Sequence, residues 1–362
     1  MRNVNLGPRT IADIDGQVAK LLKGLGDPEP PIDLRMVRDL LKLDRGYYST
    51  TDQSMLRDVF SKMKVAGQQV LLRPTLLADA VRSLSLKALY LPDQKRILID
   101  QNLPPLKHRW NEAHEIGHDV IPWHAGMMFG DTEQTLTPAC HEIMEAEANY
   151  AAGQLLFLAN RFRQEAMAST PSLDLVRGLS KRFGNTVTST LWRLAEHGHG
   201  DRPMVALVTG HPHPTRRKAD FDPAAPCRYC IESPPFRERF GRFKETDLFA
   251  VIASYCGAQA GGSLGQADIV LSDHNGEPQI FSFETFFNTH EALTLGYWLR
   301  PHTKIVAAGN PSLACRSLAH RASAPISASS MLLRLPAAAR WRPCGRAESL
   351  RWPPCMCTTP HA

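Results

Sequence analysis

The central stretch of the chain reads His114-Glu115-Ile116-Gly117-His118. Two histidines four residues apart lie on one face of an α-helix, so their imidazole nitrogens can converge on a single metal ion. Glu115 follows the first histidine and falls beside that ion, where it can take a proton from the attacking water. This H-E-x-x-H pattern is typical of zinc-dependent peptidases, although such a short pattern also occurs by chance on solvent-exposed helices.

The flanking residues favour a packed helix over a solvent-exposed one. The lead-in at 106–113 contains neither Gly nor Pro, and Pro105 is tolerated in a first helical turn. The apolar pair Val120 and Ile121 follows the motif, and Pro122 ends the helix. We therefore expect a helix that begins near Pro105, ends before Pro122 and packs against the rest of the protein.

A third ligand is needed, because a catalytic zinc site usually has three protein ligands and a water molecule. A strong helix former runs over 142–156, and its small residues Ala148 and Ala152 permit close contact with another helix. Glu145 shares the face of these alanines and is the expected ligand. Glu147 is the alternative, on a different face, and in a third interpretation the glutamates of this helix are simply exposed to solvent.

Segments between about Pro30 and Leu158 resemble the ImmA/IrrE family of zinc metallopeptidases, a gluzincin-like group. The resemblance implies that His114, His118 and Glu145 bind one Zn²⁺ ion and that Glu115 is catalytic. It also implies that the substrate is a helix-turn-helix repressor, whose cleavage derepresses stress-response or mobile-element genes. The matching segments are Pro30-Pro31-Ile32-Asp33-Leu34, Trp110-Asn111-Glu112-Ala113 with the H-E-x-x-H run, and Glu145-x-x-Ala148-Asn149-x-x-Ala152.

The chain departs from the family pattern after the second histidine. The run 119–124 stands where the family often has a short helix end, and it finishes at His124. His124 is most simply a surface or helix-end histidine. The alternatives are that it supports a metal ligand or donates a proton to the transition state.

The apolar pattern predicts an α+β fold in four parts. Residues 1–165 form a mainly helical zincin-like peptidase domain with a small sheet. Residues 166–200 form a helix-turn-helix-like helical segment, and residues 201–309 form a small α+β C-terminal module. Residues 310–362 form a disordered tail rich in Arg, Pro, Ala and Cys.

Within the first part, two strands are predicted at 87–91 and 96–100 around a turn-forming run. The second strand is a candidate to bind an extended substrate by strand addition, although an ordinary buried strand fits equally well. Helices are predicted at 11–25, 32–43 and 55–64, with a strand at 46–49.

Residues 175–194 read as a helix, a turn containing Gly184 and a second helix, which resembles a DNA-binding helix-turn-helix. The composition favours the alternative, a plain helical hairpin that closes the peptidase domain. A DNA-reading pair of helices would carry more basic residues than Lys181, Arg182 and Arg193.

The C-terminal module is predicted to contain strands at 204–208, 268–271 and 279–283, with an Asn275-Gly276 turn joining the last two. Cys227 and Cys230 form one C-x-x-C pair. A structural zinc site needs two more ligands, so whether this pair binds a second metal stays open.

The amino-acid composition indicates the class of protein. Charged residues are 22% and hydrophobic residues 43% of 362, which is typical of globular proteins. The N-terminus carries no apolar stretch like that of a secretory signal, and no run of 18 apolar residues predicts a membrane span. We therefore expect a cytoplasmic protein with no membrane partner, whose eight cysteines are reduced thiols or metal ligands.

The positive charge is concentrated in the tail. From Asn310 onward the chain has seven Arg, no Lys or Asp and one Glu, a net of +6 that equals the charge of the whole chain. Residues 1–309 are thus nearly neutral, so the net charge says little about nucleic-acid binding. The Arg-rich, Lys-free tail also suggests a shifted reading frame.

A rival interpretation is a non-catalytic DNA- or protein-binding regulator on a zincin scaffold. Its support is the 175–194 segment and the C-terminal module. Both interpretations allow a protein partner and a zinc ion, and DNA binding is only weakly supported. They differ on Glu115, whose carboxylate a peptidase needs and a scaffold does not.

Overall fold

The N-terminal part combines helices with a small sheet. The computed structural model describes residues 6–48, 88–91, 95–124 and 138–302. Asp33 caps the second helix by accepting a hydrogen bond of 2.9 Å from the backbone N–H of Arg35. The elements are α1 (Pro8–Gly24), α2 (Leu34–Leu41), β1 (Asp44–Tyr48), β2 (Ala88–Leu91) and β3 (Arg96–Asp100).

The next elements are helical. As predicted, α3 (Pro105–Val120) has Pro105 in its first turn and ends before Pro122. It carries the H-E-x-x-H run, and α4 (Pro138–Leu156) carries Glu145. Gly184, at a left-handed φ of 65°, closes the α6 helix. The remaining helices of this part are α5 (Asn160–Met167), α6 (Leu173–Phe183), α7 (Val187–Arg193) and a π-helical turn (Leu194–Gly198).

The small sheet has the order β1-β3-β2. β1 pairs parallel to β3, and β2 pairs antiparallel to it. The predicted strand pair is therefore confirmed, while its connecting residues 92–94 and the predicted helix at 55–64 lie outside the described residues. The prediction that β3 accepts a substrate strand is wrong, because β3 is the central strand and both of its edges are paired. In the described residues β1 and β2 lie at the two edges of the sheet, and β2 is the edge strand that contacts α3.

The C-terminal module is built on a five-stranded antiparallel sheet of order β5-β4-β8-β7-β6. Gly276, at φ 83°, supplies the left-handed backbone of the predicted Asn-Gly turn between β6 and β7. The elements are β4 (Met204–Thr209), β5 (Cys227–Glu232), α8 (Pro234–Phe240), α9 (Glu245–Tyr255), β6 (Gly262–Ser272), β7 (Pro278–Phe287) and β8 (Ala292–Pro301).

Both faces of this sheet are covered at its β4 strand, where every residue is buried. Alternate residues of β4, such as Ala206 and Val208, join the core of the N-terminal helices. Their neighbours Val205 and Leu207 pack with Phe236 and other residues of the second core. The α+β class is thus confirmed. The apolar core continues across 165–166 and 200–201, so the domain boundaries stay predictions, and the predicted tail at 310–362 lies outside the described residues.

None of the helices in the described part of the chain is long and apolar enough to cross a bilayer.

A buried ion-pair cluster fixes α3 against α2 and the small sheet. Glu112, two residues before the first histidine of the motif, is 4% exposed. Its carboxylate oxygens accept hydrogen bonds from Arg38 Nε at 2.6 Å and Arg45 Nη1 at 2.9 Å. Because removal of one partner leaves a buried charge unpaired, these contacts hold α3 in one position.

Small residues allow α3 and α4 to approach closely, as the sequence predicts. A Cβ atom added to Gly117 would lie 2.8 Å from the carbonyl oxygen of Ala148 and 3.3 Å from the Cβ of Ala151. The first distance is shorter than real contacts allow, and the backbone oxygen cannot move aside by itself. Gly117 therefore sets the separation of the helices that carry the histidines and Glu145.

We expect Gly117→Ala to lower the free energy of unfolding by about 1–3 kcal/mol, because the methyl group overpacks the helix crossing. Zinc affinity should fall as well. The matched control is Gly178→Ala in α6, where an added Cβ meets no atom within 4 Å. This control should gain about 1 kcal/mol from its better helix propensity. Denaturant unfolding of both variants measures the difference, and equal effects would contradict the close crossing.

Candidate metal centre

Three predicted ligands converge where α3 crosses α4. His114 Nε2 lies 3.3 Å from His118 Nε2 and 3.1 Å from a carboxylate oxygen of Glu145, and His118 Nε2 lies 3.6 Å from the other oxygen. Two atoms bound tetrahedrally to one zinc at about 2.0–2.1 Å are separated by about 3.3–3.4 Å. The two imidazoles and one carboxylate therefore suit zinc in both chemistry and spacing.

Within the described ranges, these three residues are the only group of His, Cys, Asp or Glu placed to hold a metal ion in this way. Cys227, Cys230 and Cys256 are buried and in thiol form. The C-x-x-C pair lies in strand β5 and packs in the second core instead of forming a cluster with other ligands. The described residues thus supply one candidate centre.

The first histidine is oriented by Asn149, one turn beyond Glu145 on α4. His114 Nδ1 lies 3.1 Å from Asn149 Oδ1, which accepts a hydrogen bond when Nδ1 carries the proton. That tautomer leaves the lone pair of His114 Nε2 directed at Glu145. Burial alone would raise the pKa of Glu145, but the neighbouring rings of His114 and His118 outweigh it and hold the pKa below its usual value. Glu145 is therefore a carboxylate.

Glu115 lies buried between α3 and the β2 strand. Burial raises the pKa of Glu115 to about 7. The charge of Glu145 raises this pKa as well, while His114 and a hydrogen bond from the backbone N–H of Tyr90 lower it. The Tyr90 hydroxyl donates to Asp119, which attaches the β2 strand to the motif helix. A carboxyl group with a pKa near neutrality can both accept and release a proton.

Glu147, the alternative ligand, is not part of this group. It is buried, and its Oε2 accepts a hydrogen bond of 2.7 Å from Trp123 Nε1 and lies 2.8 Å from His124 Nε2. The opposite side of the His124 ring contacts the second ligand, with 3.0 Å between His124 Nδ1 and His118 Nδ1. Burial lowers the pKa of His124 to about 4, so this ring is neutral at neutral pH.

The interpretation of His124 as a surface residue is therefore wrong, since its side chain is fully buried. Of the alternatives, the one in which it supports a metal ligand agrees with its contact to His118. The sequence offered one signal for this arrangement, an apolar helix end followed by Pro122-Trp123-His124. It offered none for the pairing with Glu147, because that contact depends on how α3 and α4 pack.

Residues 72–195 match the IrrE N-terminal-like domain of the Peptidase_M78 family. The matched segment includes every residue of the candidate centre. This match supports the ImmA/IrrE membership that the resemblance predicts.

Comparison with curated proteins found no match. Among solved structures, a Mycobacterium tuberculosis transcriptional regulator is similar with a TM-score of 0.46 and 14% sequence identity, over 80% of this chain and 76% of that chain. A similarity at this level says nothing about activity.

Proposed function

We propose that the protein is a zinc-dependent endopeptidase with a zincin-like catalytic domain. The observation that carries the proposal is the convergence of His114 Nε2, His118 Nε2 and the Glu145 carboxylate, with Glu115 buried beside them. Two helices supply all four residues, which is the layout that H-E-x-x-H peptidases use. One ion would be held by His114, His118 and Glu145, which leaves a fourth position open.

A zinc ion bound there would polarise the scissile carbonyl and make a water molecule more acidic. Glu115 is the group that accepts the proton of that water and later gives it to the leaving amine. Its buried position and a pKa near 7 suit both roles. Asn149 holds His114 in the tautomer that a metal ligand requires.

We propose that the substrate backbone binds along the outer edge of the β2 strand. Since the backbone N–H of Tyr90 points at Glu115, the outer edge of β2 faces the candidate centre. Backbone groups of Ala88, two residues earlier, point to the same edge. An extended peptide added to β2 would pass directly by Glu115, and strand addition of this kind depends on backbone hydrogen bonds.

The substrate we propose is a helix-turn-helix repressor in the cytoplasm, whose cleavage derepresses stress-response or mobile-element genes. This choice is supported by family analogy alone. The β2 edge would require a segment of the repressor that is extended or that unfolds locally.

The structure of the α6–α7 hairpin argues against the rival function, a non-catalytic DNA-binding regulator. Every residue of α7 is buried or half-buried, so this helix has no exposed face to place in a DNA groove. Arg193, the single basic residue of α7, is buried and donates a hydrogen bond of 2.7 Å to Gln154 Oε1. The hairpin instead packs as part of the N-terminal core.

We expect the purified full chain to cleave members of a proteome-derived peptide library only when zinc is bound. Chelation should abolish cleavage, and one equivalent of Zn²⁺ should restore it, because the three ligands hold a single ion. Mass spectrometry of the cleaved termini measures the activity and its sequence preference. Added Mg²⁺ is the control, since it prefers oxygen ligands. Cleavage that persists after chelation would contradict the proposal.

A further inference from the structure

A continuous buried chain of polar groups leads away from the candidate centre behind the second histidine. It runs from His118 Nδ1 to His124 Nδ1, and from His124 Nε2 to Glu147 Oε2. We propose that His124 and Glu147 are positioning residues that fix the proton of His118 on Nδ1 and so place a lone pair on its Nε2 for a metal ion. The inference rests on the proposed metal site, since it assigns the groups that prepare one of its ligands.

Trp123 determines which atoms donate and which accept along this series of hydrogen bonds. An indole N–H can only donate a hydrogen bond, so Glu147 Oε2 must accept at 2.7 Å. His124 Nε2 lies 2.8 Å from the same oxygen. Since a carboxylate oxygen accepts from both neighbours, His124 must carry its proton on Nε2.

The second link follows from the chemistry of a neutral imidazole, in which one nitrogen donates and the other accepts. With its proton on Nε2, His124 presents a lone pair at Nδ1. The neighbouring His118 Nδ1, 3.0 Å away, must then donate. His118 is thereby left with a lone pair on Nε2, the atom that lies nearest to His114 and Glu145.

The opposite placement of the two histidine protons would prevent metal binding. If His124 carried its proton on Nδ1, then His118 would have to accept there and carry its own proton on Nε2. That proton would occupy the position of the metal bond. Both His124 and Glu147 are buried, so the hydrogen bonds between them determine which direction is stable.

The two ligand histidines are thus held by different means. His114 depends on Asn149, whose side chain is exposed and neutral. His118 depends on the buried carboxylate of Glu147, which acts through the ring of His124. Outer groups of this kind typically change metal affinity by about 10–100-fold when they are removed. Glu147, the competing candidate for the third ligand, therefore has a role in the site without contact to the ion.

The first test is spectroscopic and needs no substitution in the chain under study. In zinc-loaded protein labelled with ¹⁵N-histidine, long-range ¹H–¹⁵N correlations report which ring nitrogen carries each proton. We expect His118 to bind through Nε2 with its proton on Nδ1, and His124 to carry its proton on Nε2. A proton on Nδ1 of His124, or zinc bound through Nδ1 of His118, would overturn the proposal.

The second test is a double-mutant cycle on zinc affinity, measured by chelator competition in the full chain. We expect Glu147→Leu and His124→Phe each to weaken zinc binding by about 10–100-fold. The double variant should be no weaker than His124→Phe, because Glu147 acts only through His124. Additive losses of zinc affinity would contradict a role of Glu147 that acts through His124.

Two further variants separate positioning from folding. His124→Asn keeps an acceptor near the Nδ1 position and should recover part of the affinity lost in His124→Phe. Glu142→Leu alters an exposed glutamate of the same helix and should leave affinity unchanged. Unchanged zinc affinity in both Glu147→Leu and His124→Phe would refute the positioning role but not the metal site. An unmutated protein that binds no zinc would refute the metal site itself.

Discussion

Replacement of Glu115 by Gln is expected to leave zinc binding intact while peptide cleavage falls by about 10²–10⁴-fold, below detection for a slow peptidase. Zinc should stay because the carboxylate of Glu115 is not one of the three converging groups. Cleavage should fall because the amide cannot accept the proton of the attacking water. The substitution preserves the volume of the side chain, so the packing of α3 against β2 is retained.

The measurement pairs zinc content with cleavage of the peptide library on the same preparation. Glu142→Gln is the matched control, since it makes the same chemical change at an exposed glutamate of α4. Full activity of Glu115→Gln would refute the peptidase mechanism. If Glu115→Gln lost cleavage but kept control of gene expression in cells, the regulatory function would be independent of catalysis, and the rival interpretation would gain support.

Local patterns were enough to predict the helices that carry the site. Pro105 and Pro122 bracket α3, and the H-E-x-x-H spacing places both histidines on one face. The small residues Ala148 and Ala152 correctly indicated a close helix crossing, because small side chains allow two helix backbones to approach each other. From these observations the pairing of α3 with α4, and hence the convergence on Glu145, could be anticipated.

Features that depend on long-range packing could not be predicted. The central position of β3 results from its parallel pairing with β1, and a strand pattern does not reveal which strand becomes an edge. The same limit applies to Cys227 and Cys230, whose spacing resembles a metal site although the strand places them in an apolar core. The prediction that His124 lies at the surface was wrong because its burial depends on a long-range contact with Glu147 of α4.

Substitution of Glu145 by Ala is expected to reduce bound zinc from one ion per chain to almost none at equimolar metal. The loss should exceed the roughly 10–100-fold weakening expected for a group outside the coordination sphere, because a direct ligand is removed. Glu147→Ala makes the same change two residues along the helix. It should weaken zinc binding only within that range and should still bind one ion at saturating metal.

The two variants can be compared because the glutamates share one helix but face different neighbours. The Glu145 carboxylate lies 3.1–3.6 Å from the Nε2 atoms of both histidines, whereas Glu147 contacts Trp123 and His124. Titration with Zn²⁺ against a chromophoric chelator gives both affinities on one scale. A greater loss in Glu147→Ala than in Glu145→Ala would exchange the two roles, and the third ligand would then lie on the opposite side of His118 from the position that the geometry supports.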